Sequence, residues 1–398
     1  MKLLISAGEA SGELYGAHLI EALRRLDPSL DVFGVGSDRM RAAGADIVVD
    51  SREIAVLGIA EIVGHLPAIF RAWGRATRAA VERRPDAAVV IDSPGFHLGL
   101  ARRMQDRGIP VIYYVSPQLW AWRPWRVRRV RRYVRKVLVI FPFEEKWYRE
   151  RGVDAEFVGH PLAEVTPPPI TREDFGAQHA LDLQRHWIAL LPGSRRKEIT
   201  LNLPEMIAAA GLLQKSGGNC DFVLPLAPTI GPAWLEEQLA PLEAQHGVKV
   251  HIAAGDHVAR AALKHARAAA VASGTATVEA ALMNTPFVMV YRVTPLSWML
   301  GRKLVTVSNF AMANLIAGRR VVPELVQHDF TGQRVFEELS RIIPEGGPRR
   351  AMLEGLAGIR NRLRASSSGP ETAAERAARA VLAILDQVKG LRKTEARA

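Results

Sequence analysis

The chain has 398 residues, 48% of them hydrophobic, and its 53 basic and 41 acidic residues give a net charge of +12 and a pI near 10.2. This is the composition of a globular protein with enough residues for two domains of ordinary size. The excess positive charge predicts an anionic partner: nucleic acid, anionic lipid head groups or a phosphorylated substrate. The single cysteine, Cys220, excludes an intramolecular disulfide and is typical of a reducing compartment.

No stretch of the sequence reaches the ~18 uninterrupted apolar residues that a transmembrane helix needs. The first apolar run ends at Ala7 and is followed by Glu9, so it is too short for the hydrophobic region of a signal peptide. We therefore predict a cytoplasmic protein, which would contact a membrane only from the cytoplasmic side.

The beginning of the chain predicts a strand, a glycine-rich turn and a helix. The apolar residues 3–5 are typical of a buried strand, and residues 15–25 have helical spacing, with Ser11 as the expected N-cap. Gly8 and Gly12 allow the backbone to approach a ligand closely. Glu9 and Glu13 would then lie at a binding crevice, either as solvated glutamates or as ligands for an acceptor.

The first half continues as alternating strands and helices, with strands predicted at residues 31–36, 47–50, 86–92, 110–116 and 137–141. Asp92 ends one of these strands. A carboxylate at the carboxyl end of a parallel strand faces the binding crevice, so Asp92 is the best candidate for a general base. The alternative is that Asp92 caps the following helix.

Two segments combine apolar or aromatic side chains with cations. The helix predicted at residues 61–84 carries Ile69, Phe70 and Trp73 beside five arginines, and residues 123–136 are rich in arginine. The helix fits either a core-packed surface helix or an interfacial membrane contact. The arginine-rich run fits nucleic acid, anionic lipid or a solvated helix.

A run of three prolines, at residues 167–169, predicts a semi-rigid linker. The expected domains are therefore residues 1–165, a linker at 166–170, and residues 171–365, followed by an amphipathic helix at 371–388 that packs on the first lobe of its own or a partner chain. The second half alternates again, with strands predicted at residues 186–191, 222–226, 248–252, 268–273 and 287–292. The fold class is α/β, with a parallel sheet in each lobe.

Two turns in the second half are typical of phosphate binding. One contains Gly193, Ser194 and Arg195, and the other runs from Ser273 through Gly274 and Thr275 towards Glu279. Each turn precedes a helix, whose N-terminal N–H groups and dipole favour a diphosphate, although an ordinary capped helix fits each turn alone. Glu279 is a candidate ligand for ribose hydroxyls. We expect neither a metal nor a cofactor, because no His, Cys or Asp cluster has ligand spacing.

Several motifs, in this order and spacing, resemble the lipid-A-disaccharide synthase family of two-lobed GT-B glycosyltransferases. They lie at residues 7–13, 89–94, 114–123, 157–161, 190–198, 272–279, 314–318 and 322–327. The resemblance implies two Rossmann-like lobes that face one cleft, with the last helix on the first lobe or crossing to a partner chain, which leaves a homodimer open.

The resemblance also implies a reaction. UDP-2,3-diacylglucosamine would donate its sugar to 2,3-diacylglucosamine 1-phosphate (lipid X), with inversion, to give a β-1,6-linked disaccharide 1-phosphate and UDP. By position in the motifs, Asp92 is the base and Glu9 is an acceptor-side catalytic residue. The UDP side is assigned to Gly193, Ser194, Arg195, Ser273, Gly274, Thr275 and Glu279, and the acceptor side or cleft to Ser11, Gly12, Asn314, Glu324 and Gln327.

The sequence departs from the family pattern at two positions. Gly95 stands where a second aspartate is usual, and Glu13 stands where aspartate is usual. The acyl chains and phosphates of both substrates suggest that Ile69, Phe70 and Trp73, with the basic run at residues 123–136, contact acyl chains or an anionic inner-membrane surface. The resemblance thus implies an enzyme that is peripheral on the cytoplasmic face of the inner membrane.

Two alternative functions would share some of these features. They are another two-lobed UDP-sugar enzyme, such as an epimerase or a transferase to a different lipid, and a basic nucleic-acid-binding protein. The second alternative leaves Asp92 and both phosphate-type turns without a function, so we predict no nucleic-acid partner.

Overall fold

The computed structural model describes residues 1–8, 10–53, 62–294, 298–299, 309–364 and 371–395. The chain divides into two compact units. The first consists of Met1–Glu164 with Arg364–Ala398, and the second is Val165–Leu363. In each unit the described residues form one parallel sheet, as the alternation of predicted strands and helices indicates.

The sheet of the first unit contains seven parallel strands. They are β1 (Lys2–Ala7), β2 (Asp31–Gly36), β3 (Asp46–Asp50), β4 (Ala87–Ile91), β5 (Val111–Tyr114), β6 (Lys136–Val139) and β7 (Ala155–Phe157). Their order is β3-β2-β1-β4-β5-β6-β7, so the winding direction reverses between β1 and β4. Ligands of open parallel sheets bind beyond the carboxyl ends of the strands at such a reversal.

Helices cover both faces of this sheet, which explains why its central strands are continuous apolar runs. All five residues of β4 are buried, as are Leu3–Ala7 of β1. The helices that follow these strands are α1 (Ala10–Leu26), α2 (Asp38–Ala42), α3 (Ile62–Arg83), α4 (Pro94–Gln105), α5 (Val127–Tyr133) and α6 (Pro142–Arg149). Helix α4 packs between α3 and α5 over one hydrophobic core cluster.

The second unit repeats this construction with six parallel strands. Its strands are β8 (His186–Leu191), β9 (Cys220–Pro225), β10 (Val250–Ala253), β11 (Ala268–Ala272), β12 (Phe287–Tyr291) and β13 (Glu324–Val326), in the order β10-β9-β8-β11-β12-β13. Its helices are α7 (Arg172–His179), α8 (Arg196–Lys215), α9 (Pro232–His246), α10 (Val258–His265), α11 (Thr275–Leu282), α12 (Met312–Ala317), α13 (Gly332–Ile342) and α14 (Gly347–Leu363).

Strand β13 was not predicted as a strand. Its three residues pair in parallel with residues 289–291 of β12, in the register that places Glu324 opposite Met289. Of the three, only Leu325 is buried. A three-residue segment at the edge of a sheet is too short to show an alternating pattern.

The chain that follows Glu164 is fastened to the second unit by α10. The Lys264 ammonium donates hydrogen bonds to the carbonyls of Pro168 (2.8 Å) and Ile170 (3.0 Å). The Arg260 guanidinium donates to the Val165 carbonyl at 2.9 Å. The proline-rich segment therefore belongs structurally to the second unit.

The last helix, α15 (Ala373–Glu395), returns to the first unit and packs on α1 of the same chain. Its buried stripe is apolar, as the sequence pattern predicts, and consists of Ala373, Ala377, Ala378, Val381, Ile384 and Leu385. The helix extends beyond the predicted end at residue 388, because the chain remains helical to Glu395. No helix in the described part of the chain is long and apolar enough to cross a membrane.

Polar contacts at the start of α15 complement this stripe. The Glu164 carboxylate accepts hydrogen bonds from the Ala373 N–H, at 2.6 and 2.7 Å, and pairs with the Arg376 guanidinium at 2.6 Å. Both side chains of the ion pair are mostly buried, with 12% of Arg376 and 22% of Glu164 exposed. Arg376 also donates to the Val158 carbonyl at 2.7 Å. These bonds join the N-terminus of α15 to the chain that follows β7.

We expect Glu164→Ala to lower the free energy of unfolding of the first unit by about 3 kcal/mol, because it leaves a mostly buried guanidinium and a helix N-terminus without their acceptor. The control is Arg379→Ala, which breaks the more exposed Arg379–Glu371 pair and should cost under about 1 kcal/mol. Urea unfolding followed by circular dichroism measures both. Equal losses for the two variants would contradict this account.

Candidate active site

Asp92 lies at the carboxyl edge of the first sheet, directly after β4, in an unusual backbone conformation. Its φ is 53° and that of Ser93 is 42°, so two successive residues other than glycine are left-handed. Such residues each cost about 1–3 kcal/mol and persist where surrounding contacts hold them. Ser93, not Asp92, occupies the N-cap position of α4. The interpretation of Asp92 as a helix cap is therefore wrong.

Two side chains hold the carbonyl oxygen of Asp92. The Tyr113 hydroxyl donates to it at 2.6 Å, and the Nδ1 atom of His97 lies 2.7 Å from it. On the other side of the ring, His97 Nε2 lies 2.8 Å from the Ser6 hydroxyl. His97 and Tyr113 were not predicted as site residues, although His97 lies only five residues after Asp92.

The glycine-rich turn approaches the Asp92 turn closely. A Cβ atom on Gly8 would lie 2.6 Å from the Ser93 hydroxyl and 2.8 Å from its Cβ, so position 8 requires glycine. Glu9 lies outside the described residues. Helix α1 begins at Ala10, which places Ser11 and Gly12 in its first turn, and the prediction of Ser11 as N-cap is wrong.

Glu13 has a structural partner. Its carboxylate accepts hydrogen bonds from the Ser37 hydroxyl and from the Arg39 N–H, the latter at 3.2 Å, and the side chain is buried. Glu13 therefore holds the start of α2. Its contacts do not support the alternative that it is a ligand for the acceptor at the crevice.

Gly95 is exposed, and no heavy atom lies within 4 Å of the position of a Cβ atom on this residue. The structure therefore has room for a side chain where the family pattern carries its second aspartate. Glycine at this position is not imposed by packing.

The loop that follows β5, the strand next to β4, is held by the buried carboxylate of Glu144 in α6. Glu144 Oε1 accepts hydrogen bonds from Trp120 Nε1 (2.8 Å) and the Ser116 hydroxyl (3.2 Å), and Oε2 accepts from the Phe141 N–H (3.2 Å). Burial raises the pKa of Glu144 to about 7, against the opposing effect of these donors. No motif of the sequence singled out Glu144.

In the second unit, the turn after β8 folds around Glu198. This carboxylate accepts a hydrogen bond from the Ser194 N–H at 3.0 Å and pairs with the Arg195 guanidinium at 3.1 Å. Gly193 has φ 131°, and a Cβ on it would lie 2.7 Å from the Cβ of Glu198. The Asn202 amide donates to the Pro192 carbonyl at 2.9 Å. Arg195, at the N-cap of α8, keeps 63% of its side chain exposed.

The second phosphate-type turn lies on the neighbouring strand. Since Val271 of β11 pairs with Leu191 of β8, the two turns leave the same edge of the sheet side by side. Gly274 occupies the N-cap position of α11 and, like Thr275, is exposed. Thr277 is fully buried and donates to the Gly274 carbonyl at 2.8 Å, so its hydroxyl stabilises the turn itself.

Glu279 lies one turn further into α11 and is partly exposed. Burial raises the pKa of its carboxyl above the usual range, and the nearby Arg260 guanidinium opposes that change. A carboxylate in this setting can accept two hydroxyl groups.

Asn314 and Glu324 connect the late motifs to the Ser273 turn. The Ser273 hydroxyl donates to the Phe310 carbonyl at 3.2 Å, and the Phe310 and Ala311 N–H groups each donate to the Glu324 carboxylate at 3.0 Å. The fully buried Asn314 donates to Glu324 at 2.7 Å and accepts from the N–H groups of residues 321 and 322. Within the second unit, Asn314 and Glu324 therefore stabilise the loop beside Ser273.

Gln327 has a similar structural contact. Its side-chain amide bonds to the N–H and carbonyl of Val293, at 3.0 and 3.2 Å, in the manner of a strand pair. It therefore orients the chain that leaves β12.

The predicted membrane residues have different surroundings. Trp73 donates a hydrogen bond to the Phe96 carbonyl at 3.1 Å and, with Ile69, packs against the core cluster. Phe70 is 58% exposed. Two tryptophans between β5 and α5, Trp122 and Trp125, are 45% and 55% exposed. Helices α3 and α5 each follow a parallel strand, so their first turns lie towards the carboxyl edge that carries Asp92.

Two other features of the described residues add no functional groups to this site. Among the described residues, no cluster of three or more His, Cys, Asp or Glu side chains is arranged to bind a metal ion. A cavity of about 550 Å³ between α15 and the start of β6 is lined by paired charges, such as Lys136 with Glu156 at 2.8 Å. It lies at the amino ends of the strands, away from Asp92.

The raised pKa of Glu144 generates a prediction. The folded protein binds the carboxyl proton of Glu144 more tightly than the unfolded chain does. Raising the pH from 4.5 to 7 therefore destabilises the folded state relative to the unfolded chain. Over that window the free energy of unfolding of the parent should fall, relative to Glu144→Gln, by up to about 3 kcal/mol. Urea unfolding at pH 4.5, 6 and 8 measures this, with Glu150→Gln, at the exposed C-cap of the same helix, as control. A constant difference between parent and Glu144→Gln would contradict it.

The fold is shared with known structures. A putative UDP-N-acetylglucosamine 2-epimerase from Listeria monocytogenes aligns with a TM-score of 0.62 at 13% identity, over 97% of this chain and 95% of that one. The calicheamicin glycosyltransferase aligns with a TM-score of 0.59 at 17% identity, over 97% and 98%. At these identities the likeness concerns the fold alone, and it confirms the predicted class of two Rossmann-like parallel-sheet lobes.

Sequence comparison identifies much nearer relatives. A lipid-A-disaccharide synthase from Koribacter versatilis is 53% identical over 386 residues, which cover 96% of this chain and 98% of the relative. The family model for lipid-A-disaccharide synthetase matches residues 3–359. The resemblance and the enzyme class indicated by the sequence motifs are thereby confirmed, and the chain belongs to the lipid-A-disaccharide synthetase family.

Proposed function

We propose that this chain transfers the sugar of UDP-2,3-diacylglucosamine to 2,3-diacylglucosamine 1-phosphate and releases UDP and the β-1,6-linked disaccharide 1-phosphate. Membership of the family supports the reaction. The observation that carries the assignment of the site is the left-handed turn that presents Asp92 at the switch point of the first sheet.

Asp92 acts as the general base on the acceptor. Its carboxylate takes the proton of the acceptor 6-hydroxyl as that oxygen forms a bond to the anomeric carbon of the donor, and the bond from this carbon to the UDP oxygen breaks. A single displacement inverts the anomeric centre and needs no covalent intermediate. General-base catalysis of this kind contributes about 10²–10⁴-fold to the rate. Glu9, Ser11 and Gly12 complete the acceptor side of the first lobe.

The turns of the second lobe bind UDP. The N-termini of α8 and α11 direct N–H groups and positive dipole ends towards the same edge of the sheet, where a diphosphate is stabilised. Arg195 supplies a cation from an exposed position next to Gly193 and Ser194, and Ser273, Gly274 and Thr275 line the second turn. Glu279 accepts the ribose hydroxyls. The leaving diphosphate is therefore neutralised by helix ends and a guanidinium.

Asn314, Glu324 and Gln327 act through the loops that they hold. Their side chains are bound to the backbone of residues 293, 310–311 and 321–322, and the Ser273 hydroxyl donates to the Phe310 carbonyl. They therefore keep the UDP side of the second lobe in shape. This role replaces direct substrate contact as the expected function of these three residues.

The enzyme works at the cytoplasmic face of the inner membrane as a peripheral protein. Phe70, Trp122 and Trp125 are exposed on segments that begin towards the carboxyl edge of the first sheet, and Arg123 and the arginines of α5 surround the tryptophans. Exposed aromatic side chains ringed by cations bind anionic interfaces. The docking surface is therefore Phe70 with residues 122–132, while Ile69 and Trp73 support it from the core. Nucleic acid is not a partner, and a homodimer is compatible with this assignment.

Disaccharide formation from UDP-2,3-diacylglucosamine and lipid X, in mixed micelles with EDTA, tests the reaction and the base. We expect product from the parent and a loss of about 10²–10⁴-fold in kcat for Asp92→Asn, which removes the base but keeps the shape of the side chain. Asp106→Asn is the matched control, since Asp106 is exposed at the end of α4 and pairs only loosely with Arg102 at 3.7 Å.

Product from Asp92→Asn at the parent rate would refute the base and leave the reaction standing. Absence of product from the parent with acylated substrates, together with turnover of unacylated UDP-sugar, would favour a different UDP-sugar enzyme.

Vesicle co-sedimentation tests the docking surface. We expect the double variant Phe70→Ser, Trp125→Ser to bind vesicles with phosphatidylglycerol at least ~10-fold more weakly than the parent, because two exposed aromatic contacts are lost. Val81→Ser is the control, since Val81 is 52% exposed on α3 but lies near its other end. Equal binding by the parent and the double variant would locate membrane contact elsewhere.

A further inference from the structure

The backbone turn that presents Asp92 is held by side chains as well as by main-chain hydrogen bonds. The Asp92 N–H is 3.4 Å from the Tyr114 carbonyl and 3.3 Å from that of Val115, which are long distances for hydrogen bonds. The short contacts are those to its carbonyl oxygen, from His97 at 2.7 Å and Tyr113 at 2.6 Å. Two side chains, His97 on α4 and Tyr113 on β5, thus help to hold the left-handed conformation of Asp92.

The hydrogen-bonding direction of the His97 ring follows from its neighbours. His97 has no exposed surface, and burial lowers its pKa to about 4, so the ring is neutral at physiological pH. A neutral imidazole has one donor and one acceptor. Because the Asp92 carbonyl only accepts, Nδ1 carries the hydrogen, and Nε2 accepts from the Ser6 hydroxyl.

His97 therefore joins the ends of two neighbouring strands. Ser6 lies near the end of β1, and Asp92 follows β4, so the ring ties the glycine-rich turn to the Asp92 turn. The rings of Phe96 and Tyr113 pack edge-on against His97 and fix its plane. A fully buried ring cannot touch substrate, so any effect on catalysis is exerted through Asp92.

We propose that His97 is a positioning residue for the reaction, which holds Asp92 in its left-handed turn through Nδ1 and thereby sets the direction of the carboxylate. This inference rests on the proposed role of Asp92 as the base. The inference extends that role, because it makes the His97 ring responsible for the orientation of the base. The ring is itself held by its second hydrogen bond, to Ser6.

Two substitutions separate the functions of the two ring nitrogens. The amide nitrogen of Asn occupies nearly the place of Nδ1 and can still donate to the Asp92 carbonyl, whereas that of Gln occupies nearly the place of Nε2. We expect His97→Asn to keep kcat within about threefold of the parent. His97→Gln should lower kcat by about 100-fold, the effect of misplacing a reacting group by about 1 Å, with KM for both substrates unchanged.

The experiment measures kcat, KM and urea unfolding for the parent, His97→Asn, His97→Gln, Tyr113→Phe and Asp92→Asn in the disaccharide assay. Tyr113→Phe removes the second donor and should lower kcat about 10-fold. Equal activity of the Asn and Gln variants, or activity losses that follow stability alone, would overturn the positioning role. Parent-like activity of Asp92→Asn would overturn the base and this inference together, whereas an inactive Asp92→Asn with an active His97→Gln would overturn only the inference.

Discussion

The structure of the first lobe depends on how one carbonyl oxygen is held. Asp92 and Ser93 are both left-handed, a conformation that residues with a side chain adopt only when other contacts compensate for it. His97 and Tyr113 supply that compensation at the Asp92 carbonyl, and Ser6 anchors His97 to the neighbouring strand. Gly8 then allows the first turn to lie against Ser93. The carboxylate is presented by a backbone that cannot relax without breaking these bonds.

The second lobe uses half-buried carboxylates and a buried amide for the same purpose. Glu198 fills the centre of the turn after β8, and Glu324 with Asn314 holds the loop beside Ser273. Such polar groups are costly to bury unless every partner is in place, so they specify one conformation of each loop. The two candidate phosphate-binding turns are thus shaped by side chains that lie behind them.

Charge and aromatic residues are also divided between structural and exposed positions. Trp120 and Trp73 donate hydrogen bonds to interior acceptors, whereas Trp122 and Trp125 remain exposed beside arginines. An arginine-rich sequence segment therefore need not bind nucleic acid. Its position at the beginning of a helix that follows a parallel strand places its cations towards the edge where the acidic substrates are expected.

The sequence by itself determined the alternation of strands and helices, the two parallel sheets, the family and the positions of Asp92 and both phosphate-type turns. These follow from local apolar periodicity, glycine spacing and ordered motifs, which need no knowledge of distant contacts. Only the tertiary structure decided that His97, Tyr113 and Glu144 support the site, that Glu13 and Thr277 have structural partners, and that Trp73 is a packing residue. Each of these roles depends on a partner that is distant in sequence or on how deeply the side chain is buried. Local residue spacing determines neither the distant partner nor the burial.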